Sequence, residues 1–442
     1  MRVLLISTYE LGRQPFGLAS PAAMLEAAGH TVECTDASLD PVSLSAVERA
    51  GLIAFHLPMH TATRLASGWI PKIRAANPRA HLCGYGLYAP LNAEYLRGLG
   101  VHTLIGGEFE RALCDLAAAL NRGAVNQPPL VTLDRVEFAV PRRDGLPPLE
   151  RYARLVNDGR RLVAGYTEAS RGCKHLCRHC PVVPVYRGKF RVVPVETVLD
   201  DAEQQVASGA RHITFGDPDF FNGPGHARRI IEAFPARFAG VTYDVTIKIE
   251  HLLRHRDLLP MLARTGCAFV TSAVESVDDA VLERLDKGHT RADFLEAAAL
   301  CREAGVPLSP TFIPFTPWTT LGGYRELLAT IAELGLVKHV APVQFALRLL
   351  IPNGSLLLDL NEVRARVERF DPASLTWRWR HPDPEVDRLA EAALRLVDTM
   401  EKQGASRETA FTAVWKLAHG KAPDFHLPAR AAIPYLTEPW YC

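Results

Sequence analysis

The chain has 442 residues, of which 48% are hydrophobic and 22% are charged, and its 50 basic and 49 acidic side chains leave a formal net charge of +1. This composition is typical of a globular protein with large apolar cores, and the length predicts about three domains. The balanced charge offers no basic field for a nucleic acid, and no apolar run approaches the ~20 residues of a membrane-spanning helix. We therefore expect neither a nucleic acid nor a membrane as a partner.

Residues 1–125 predict a doubly wound, Rossmann-like α/β domain. Met1 and Arg2 lead directly into an apolar strand, so we expect no signal peptide and a reducing, cytoplasmic location. Short apolar strands alternate with helical segments, which is typical of a parallel sheet. The predicted strands are 3–7, 31–34, 52–55, 81–84 and 103–107. Ligands of such sheets bind beyond the carboxyl ends of the strands.

Residues 126–160 are rich in proline and predict an extended linker. Residues 161–352 contain six strand–helix repeats, which predict a partial (βα)6 TIM barrel with its working residues at the carboxyl ends of the strands. The predicted strands are 162–166, 212–215, 242–249, 268–273, 308–313 and 343–350. Residues 353–442 predict a mainly helical region with an extended tail.

Three cysteines follow the first barrel strand, in the order Cys173, Cys177 and Cys180, with the spacing C-x3-C-x2-C. A four-iron four-sulfur (4Fe–4S) cluster normally takes four cysteines, so three thiolates leave one iron with an open coordination position. The other six cysteines are scattered along the chain, which argues against a disulfide framework. Structural zinc is the alternative, with His175 or His179 as the fourth ligand, but no second ligand pair follows downstream.

This triplet, placed after the first strand of a six-repeat barrel, resembles the radical S-adenosylmethionine (SAM) superfamily over residues 160–350. The resemblance implies an enzyme in which Cys173, Cys177 and Cys180 hold the cluster and SAM occupies the open iron position. It also implies reductive cleavage of a carbon–sulfur bond of SAM, a small-molecule substrate, and an electron donor such as flavodoxin or ferredoxin.

The resemblance further implies SAM-binding residues after the second strand and on the third. Gly216 and Asp217 end the second strand, where the family keeps a Gly-rich or acidic turn for the methionine ammonium; a turn capped by Asp217 is the alternative. Strand alternation puts Thr246, Lys248 and Glu250 on one face, inside the barrel. Polar groups there are costly unless a ligand meets them, and an internal Lys248–Glu250 ion pair is the alternative.

More candidate ligand contacts lie near the fourth and sixth strands. By resemblance, Ser272 and Glu275 would face the ribose or the substrate, and Lys287 would neutralise a carboxylate. A lysine at this point would also suit the C-terminus of a helix. Leu350, by its position on the last strand, would contact adenine. His179 sits where the family usually has an aromatic residue, and its backbone would contact adenine.

Residues 1–125 resemble the cobalamin-binding domain that precedes many radical SAM barrels. The parts that look alike are 18–31, 83–86 and 106–110. The Asp-x-His-x-x-Gly motif of many cobalamin proteins is absent, so the resemblance leaves cobalamin binding open. His56 and His60 follow the third strand, where they could reach a ligand, although we expect them in a solvent-facing loop.

The tail, which ends in Glu438-Pro439-Trp440-Tyr441-Cys442, resembles that of a radical SAM family named for its CUAEP or CCAEP tail. There, a cysteine and a second cysteine or selenocysteine precede Ala-Glu-Pro. A selenocysteine codon read as a stop after Cys442 would explain the difference; an incidental terminal cysteine is the alternative. The resemblance implies that Cys442 is a catalytic thiol, acting as a cluster ligand, a redox partner or a holder of substrate.

Three functions are compatible with these residues. The first is a radical SAM enzyme that modifies a small metabolite or natural-product precursor. A related enzyme of arsinothricin biosynthesis uses a 3-amino-3-carboxypropyl radical, so transfer of that group is a narrower version of this prediction. The second is a cobalamin-dependent radical SAM methyltransferase, and the third is a zinc-binding regulator without enzymatic activity.

Overall fold

The structure is a computed structural model that describes residues 1–124, 128–424 and 433–438. Its N-terminal part contains a six-stranded parallel sheet in the order β2-β1-β3-β4-β5-β6. The strands are β1 (Arg2–Ser7), β2 (Thr31–Asp36), β3 (Leu52–His56), β4 (His81–Tyr85), β5 (Thr103–Gly107) and β6 (Val131–Thr132). The first five strands are those predicted, whereas β6 comes from the segment predicted as a linker.

Helices cover both faces of this sheet. They are α1 (Phe16–Ala27), α2 (Leu44–Arg49), α3 (His60–Ala76), α4 (Tyr88–Leu91), α5 (Ala93–Gly98) and α6 (Glu110–Asn121). Strand side chains alternate between two cores. Leu4 and Ile6 pack on the side of α3, and Val3 and Leu5 pack on the side of α1 and α6. The sheet is therefore doubly wound, as predicted.

A second, curved sheet follows, in which β8, β11, β12, β13 and β14 run parallel in that order. The strands are β7 (Arg154–Asn157), β8 (Arg160–Thr167), β9 (Ser170–Gly172), β10 (Phe190–Val192), β11 (His212–Phe215), β12 (Thr242–Thr246), β13 (Cys267–Glu275) and β14 (Leu308–Phe312). The helices are α7 (Val183–Tyr186), α8 (Val195–Ala207), α9 (Pro224–Arg237), α10 (Ile249–Arg254), α11 (Leu259–Arg264), α12 (Asp279–Leu285), α13 (Arg291–Glu303) and α14 (Leu321–Glu333). This arrangement confirms the predicted partial barrel.

The third barrel strand is shorter than predicted. The prediction was 242–249, but β12 ends at Thr246 and the chain enters α10 at Ile249. Ile249 and Leu252 are both fully buried, three residues apart. This helical spacing gives the segment a buried face that an extended strand would lose.

The predicted sixth strand, 343–350, is reduced to a single parallel bridge between Phe315 and Arg348. Its first half is a 3-10 turn, Pro342–Phe345, which begins at a proline that has no N–H for a strand ladder. The side-chain oxygen of Gln344 accepts a hydrogen bond from the backbone N–H of Phe312 at 2.8 Å. This side chain thus replaces a ladder hydrogen bond at the edge of β14.

The C-terminal part contains a hairpin besides the predicted helices. Its helices are α15 (Asn361–Arg364), α16 (Pro384–Lys402) and α17 (Arg407–His419), and the hairpin pairs β15 (Val367–Asp371) with β16 (Thr376–Trp379). The backbone N–H of Trp377 donates to the carbonyl of Ile351 at 2.8 Å, which joins the hairpin to the last barrel segment. Alternating Trp and Arg residues in 377–380 favour this strand, a signal that the prediction of helices overlooked.

The described part of the tail returns to the barrel. β17 (Tyr435–Leu436) pairs antiparallel with β7, and the hydroxyl of Tyr9 donates to Glu438 at 2.8 Å. Cys442 lies outside the described residues. Among the helices within residues 1–124 and 128–424, none is long and apolar enough to cross a membrane.

The predicted linker joins the two sheets through a buried ion pair. Arg143 donates to both carboxylate oxygens of Asp201 on α8, at 2.9 and 2.8 Å, and to the carbonyl of Tyr166. It also donates to the side chain of Gln14 at 3.3 Å. Both charged groups are less than a tenth exposed, so this linker residue holds the N-terminal part against the barrel.

Candidate active site

The cysteine loop begins at Gly172, the last residue of β9, which has φ +74°. An added Cβ would lie 2.3 Å from the ring of Tyr186 and 2.5 Å from a backbone carbonyl oxygen, so only glycine fits. Beyond it, Cys173 and Cys177 are buried and Cys180 is partly exposed. The backbone N–H of Cys180 donates to the carbonyl of Cys177 at 3.1 Å, which closes the loop tightly.

The three thiols are close enough for their charges to interact. Burial raises the pKa of Cys173 to about 11 and that of Cys180 to about 12, and charge on Cys177 acts in the same direction on both. Thiols of this kind ionise when a bound metal supplies positive charge. The described cysteines form no disulfide. Three free thiols in one loop therefore fit a 4Fe–4S cluster with one open iron position.

A buried ionic group adjoins this loop. The carboxylate of Glu275, at the end of β13, lies 3.2 Å from Nε2 of His179 and 3.3 Å from Nζ of Lys287. Burial alone would raise the pKa of Glu275, but the charge of Lys287 and the hydrogen bond with His179 lower it to about 2. Glu275 has φ +68°, a conformation that is costly for a non-glycine residue and that often marks functional sites.

Lys287 is buried, and it follows the C-cap residue of α12, with its backbone N–H donating to the carbonyl of Leu282 at 3.1 Å, so the alternative of a lysine at the C-terminus of a helix describes its position correctly. Burial lowers the pKa of Lys287, but Glu275 and the nearby Cys177 and Cys180 raise it by more. A buried ammonium thus stands between a carboxylate and the cysteine loop. It offsets negative charge that a thiolate-bound cluster would bring to this position.

Lys248 and Glu250 follow β12 rather than lie on it, so the alternation that placed them on one strand face with Thr246 is wrong. Lys248 precedes the first residue of α10, and Glu250 is in its first turn. Nζ of Lys248 lies 3.7 Å from Oε2 of Glu250, which confirms an ion pair between them. Glu250 also contacts Arg254 at 2.6 Å, and a Cβ at Gly288 would lie 2.9 Å from it. The charged side chains that follow β12 therefore lie against the loop around Gly288, which follows β13 and α12.

The buried ring of His289 makes no hydrogen bond through either nitrogen, and its side chain faces Lys248, Lys287 and Glu275. Burial and the two lysines lower the pKa of His289 to about 4, which keeps the ring neutral. The fully buried hydroxyl of Ser272 on β13 also lacks a hydrogen bond, but it shares the strand face of Val270, which packs in the core against the helices. Buried polar atoms without partners are rare and costly, so the His289 ring is suited to a bound ligand.

The sequence interpretation missed His289, although it singled out the segment around Lys287. Its signal was present: a histidine directly after Lys287-Gly288, in the loop that precedes the helix α13. Nothing in the sequence, however, indicates that the ring is buried.

The side chain of Asp217 points toward the start of β9, the strand that precedes the cysteine loop. Its carboxylate accepts hydrogen bonds from the hydroxyl of Ser170 at 2.5 Å and from the backbone N–H of Ala169 at 3.0 Å. Burial raises the pKa of Asp217 to about 7. A Cβ at Gly216 would lie 1.8 Å from the hydroxyl of Tyr166, so this glycine makes room for a tyrosine. The structure shows these contacts in place of the free acceptor that a methionine ammonium would need.

Leu350 lies apart from the charged group. It lines a groove of about 400 Å3 between the last barrel segment and the hairpin. Arg348, Trp377 and Arg378 line the same groove, and no cysteine of the loop does. The guanidinium of Arg348 stacks 3.6 Å from the centre of the Trp379 ring. The predicted contact of Leu350 with adenine stays a prediction.

The carboxyl edge of the N-terminal sheet is filled by side chains of the chain itself. His56 is buried, in contrast to the expected solvent-facing loop, and its Nδ1 lies 3.3 Å from Oε2 of Glu10. His60 is buried as well. A Cβ at Gly17 would lie 1.9 Å from the His56 ring, so these residues are in close contact.

The edge is also closed where it meets the cysteine loop. Arg171, two residues before Cys173, lies 3.4 Å from Glu108 and 2.6 Å from Glu110, both of which are buried after β5. The cavity lined by Phe16, Ser20 and Phe138 measures about 10 Å3, which is room for one water molecule. A corrin does not fit this junction as it stands, so we derive no step through cobalamin.

Comparison with known proteins finds a family model that matches the barrel. Residues 167–337 match the model of the radical SAM superfamily. A tRNA-2-methylthio-N(6)-dimethylallyladenosine synthase of Desulfosudis oleivorans is 31% identical over 182 residues, which cover 39% of this chain and 38% of the relative. The ribosomal protein uS12 methylthiotransferase RimO of Geobacter sulfurreducens is 28% identical over 181 residues, covering 38% and 39%. The match thus spans less than half the length of these relatives.

Two solved structures share the fold over most of the chain. The cobalamin-dependent SAM radical enzyme OxsB, with aqua-cobalamin and SAM bound, has a TM-score of 0.72 at 15% identity and covers 90% of this chain and 67% of its own. The radical SAM methyltransferase TsrM from Kitasatospora setae has a TM-score of 0.69 at 18% identity and covers 90% and 89%. At these identities the likeness shows the fold alone.

The predictions of a radical SAM enzyme, and of a 4Fe–4S cluster and SAM as its cofactors, are confirmed at the level of the superfamily. The match to this family and to curated relatives named as enzymes favours the enzymatic prediction over the alternative of a zinc regulator.

Proposed function

We propose that this radical SAM chain cleaves SAM reductively at a cluster held by Cys173, Cys177 and Cys180, and uses the radical to modify a small metabolite or natural-product precursor. When bound, the cluster supplies the electron that breaks a carbon–sulfur bond of SAM. The observation that carries the proposal is the loop of three free thiols beside the buried group of Lys287, Glu275 and His289.

The residues around the loop have separable tasks in this proposal. Lys287 offsets negative charge beside the thiolates, and Glu275 keeps His179 and Lys287 in place through contacts of 3.2 and 3.3 Å. Lys248 could bind a substrate carboxylate besides Glu250, because Glu250 is 3.7 Å away and has a second, closer partner in Arg254 at 2.6 Å. Thr246, partly buried, is the last residue of β12 and precedes Lys248 by two residues.

The polar atoms without partners indicate the kind of molecule that binds. His289 is neutral and offers one ring N–H and one acceptor nitrogen. Two ammonium groups, of Lys248 and Lys287, face the same ring. We therefore propose a small substrate that carries a carboxylate together with hydroxyl or amino groups, such as an amino acid or a hydroxy acid.

The decisive experiment is anaerobic reconstitution with iron and sulfide, followed by reduction in the presence of SAM. We expect about four irons per chain, cluster absorbance and a nucleoside product, all lost in the Cys173→Ala, Cys177→Ala and Cys180→Ala variants. Cys301→Ala, in the barrel core, is the matched control and should keep all three. SAM cleavage that survives in the loop variants would contradict the proposal.

The nucleoside identifies the bond that breaks. 5′-Deoxyadenosine would mean hydrogen abstraction, and 5′-methylthioadenosine would mean transfer of the 3-amino-3-carboxypropyl group. The resemblance of the tail favours the second outcome, and Cys442 is then proposed as the thiol that assists it. A Cys442→Ser variant should keep its iron and lose substrate turnover; unchanged turnover would remove Cys442 from the mechanism.

A cobalamin-dependent methyl transfer is the second candidate, and the fold shared with OxsB and TsrM favours it. It requires the closed junction at Arg171 to open. Equilibration with hydroxocobalamin under reducing conditions tests it: a stoichiometric cobalamin spectrum after gel filtration would support methyl transfer, and its absence would exclude that candidate.

A further inference from the structure

Two histidines and an aspartate gather behind the cysteine loop. They are His175 of the loop itself, Asp219 after β11, and His251 on α10, and one ligand atom from each lies within 4.8 Å of the others. Asp219 and His251 are fully buried and His175 is nearly so. None of the three has a task in the proposed cleavage of SAM.

Two atoms of this group face each other without a hydrogen bond. Oδ2 of Asp219 and Nδ1 of His251 are 2.6 Å apart, yet their directions do not satisfy hydrogen-bond geometry, and neither makes a hydrogen bond to another described residue, although Nε2 of His175 lies 3.5 Å from the same oxygen. The other carboxylate oxygen of Asp219 accepts from the backbone N–H of Phe221 at 3.2 Å. One oxygen therefore orients the carboxylate, and the second points toward the two rings without a hydrogen bond.

The spacing of the group is close to that of shared coordination. Two ligands at about 2.1 Å from a tetrahedral ion lie about 3.4 Å apart, and Nε2 of His175 lies 3.5 Å from Oδ2 of Asp219. His251 can give the same ion only one nitrogen: Nδ1 faces Oδ2 at 2.6 Å and would have to move away from it by about 0.8 Å on binding, while Nε2 lies 3.3 Å from Nε2 of His175. The second nitrogen of His175 faces Oε2 of Glu250 at 3.5 Å. A carboxylate at the far nitrogen is the usual arrangement that orients a metal-bound histidine.

We propose that His175, Asp219 and His251 bind one divalent first-row transition-metal ion, separate from the iron held by the cysteines. Two nitrogens and one carboxylate oxygen are the donor set of zinc and iron(II) sites, and three protein ligands leave a position for water. The ion would join the cysteine loop to β11 and to α10. It positions the loop and takes no part in the electron transfer.

The test measures zinc in the full chain. The cluster-loaded protein is dialysed against buffered free Zn2+, and iron and zinc are counted per chain by elemental analysis. We expect about one zinc besides the cluster iron. Asp219→Asn and His251→Ala should reduce the zinc at least tenfold, whereas His255→Ala, whose ring lies 5.7 Å from that of His251, should keep it.

A second form of the protein separates this site from the cysteines. The variant in which all three loop cysteines are alanine cannot hold the cluster, yet should still bind one zinc and gain melting temperature from it, as a ligand of the folded state does. Equal zinc in the wild type and in the isosteric Asp219→Asn variant, or no zinc in any form, would overturn the metal site. Loss of zinc together with intact SAM cleavage would leave the proposed function untouched.

Discussion

At the scale of single residues, the loop depends on one backbone conformation. Gly172 combines a positive φ with contacts that leave no space for a Cβ, immediately before Cys173. A side chain added at this position would strain the backbone directly beside the first cluster ligand.

We therefore expect Gly172→Ala to lower the free energy of unfolding by more than about 2 kcal/mol and to reduce the iron bound on reconstitution. Gly225→Ala is the matched control, because Gly225 lies on α9 with no atom near its Cβ position and an alanine should be neutral or stabilising there. Urea unfolding and iron analysis measure both effects. Equal iron and equal stability in the two variants would contradict this account of the loop.

His289 gives a prediction about pH. Its pKa is lowered to about 4 in the folded chain, below the ordinary value of 6.5, so the unfolded chain binds a proton that the folded chain does not. This histidine therefore lowers stability as the pH falls from 6.5 to 4, by up to roughly 3 kcal/mol. His289→Gln should remove that part of the acid destabilisation, measured by urea unfolding at pH 7, 5.5 and 4.5. An identical pH dependence in both proteins would show that the ring is protonated or exposed.

Several residues of the candidate site were predicted from the sequence. The cysteine spacing predicted the ligand loop because three thiols within eight residues have few other uses. Glu275 and Lys287 were also identified, and they are in contact. His289 and the group of His175, Asp219 and His251 were missed as sites, because burial and partnerless atoms arise only from packing between distant segments.

At the scale of elements, the linker contains more ordered structure than its composition predicted. The prolines of this segment predicted an extended linker. The segment also contains β6, which is too short to be recognised from the sequence, and Arg143, which forms a buried ion pair. The boundaries of β12 and of the sixth strand were wrong for a similar reason. Alternation of polar and apolar residues predicts a strand from its own sequence alone. Here the ends of the strands depend on tertiary contacts, namely the burial of Ile249 and the hydrogen bond of the Gln344 side chain.

Arg143→Ala should destabilise the chain by about 3–5 kcal/mol, because it leaves the carboxylate of Asp201 buried without a partner. The neighbouring Arg142→Ala is the control: its partner Glu26 is more than a third exposed, so less than about 1 kcal/mol is expected. Equilibrium urea unfolding compares the two. A larger loss for Arg142→Ala would refute the assignment of Arg143 as the main tie of the linker.

At the scale of the whole molecule, Arg171 connects the two sheets to the cluster loop. It contacts Glu168 at 2.7 Å besides Glu108 and Glu110, and burial raises the pKa of Glu108 and of Glu168. Three carboxylates around one guanidinium make the junction sensitive to the loss of that single cation.

Replacing Arg171 by Met should cost at least about 3 kcal/mol of stability and lower the iron content, because the residue lies two positions before Cys173. Adding Glu110→Gln to that variant removes one uncompensated carboxylate and should restore part of the stability. Unfolding curves and iron analysis of the single and double variants test this coupling. Additive losses in the double variant would mean that the two side chains act independently.

A partial barrel, unlike a closed one, has two open sheet edges, and both are occupied here by short pieces from the C-terminal part. The two residues of β17 pair with β7 at one edge, and the bridge at Arg348 with the hairpin closes the other. Unpaired edges invite strands of other copies and lead to aggregation. These segments thus prevent the edges of the barrel sheet from pairing with other copies of the chain. We therefore expect residues 433–438 to increase solubility even where they contact no cofactor.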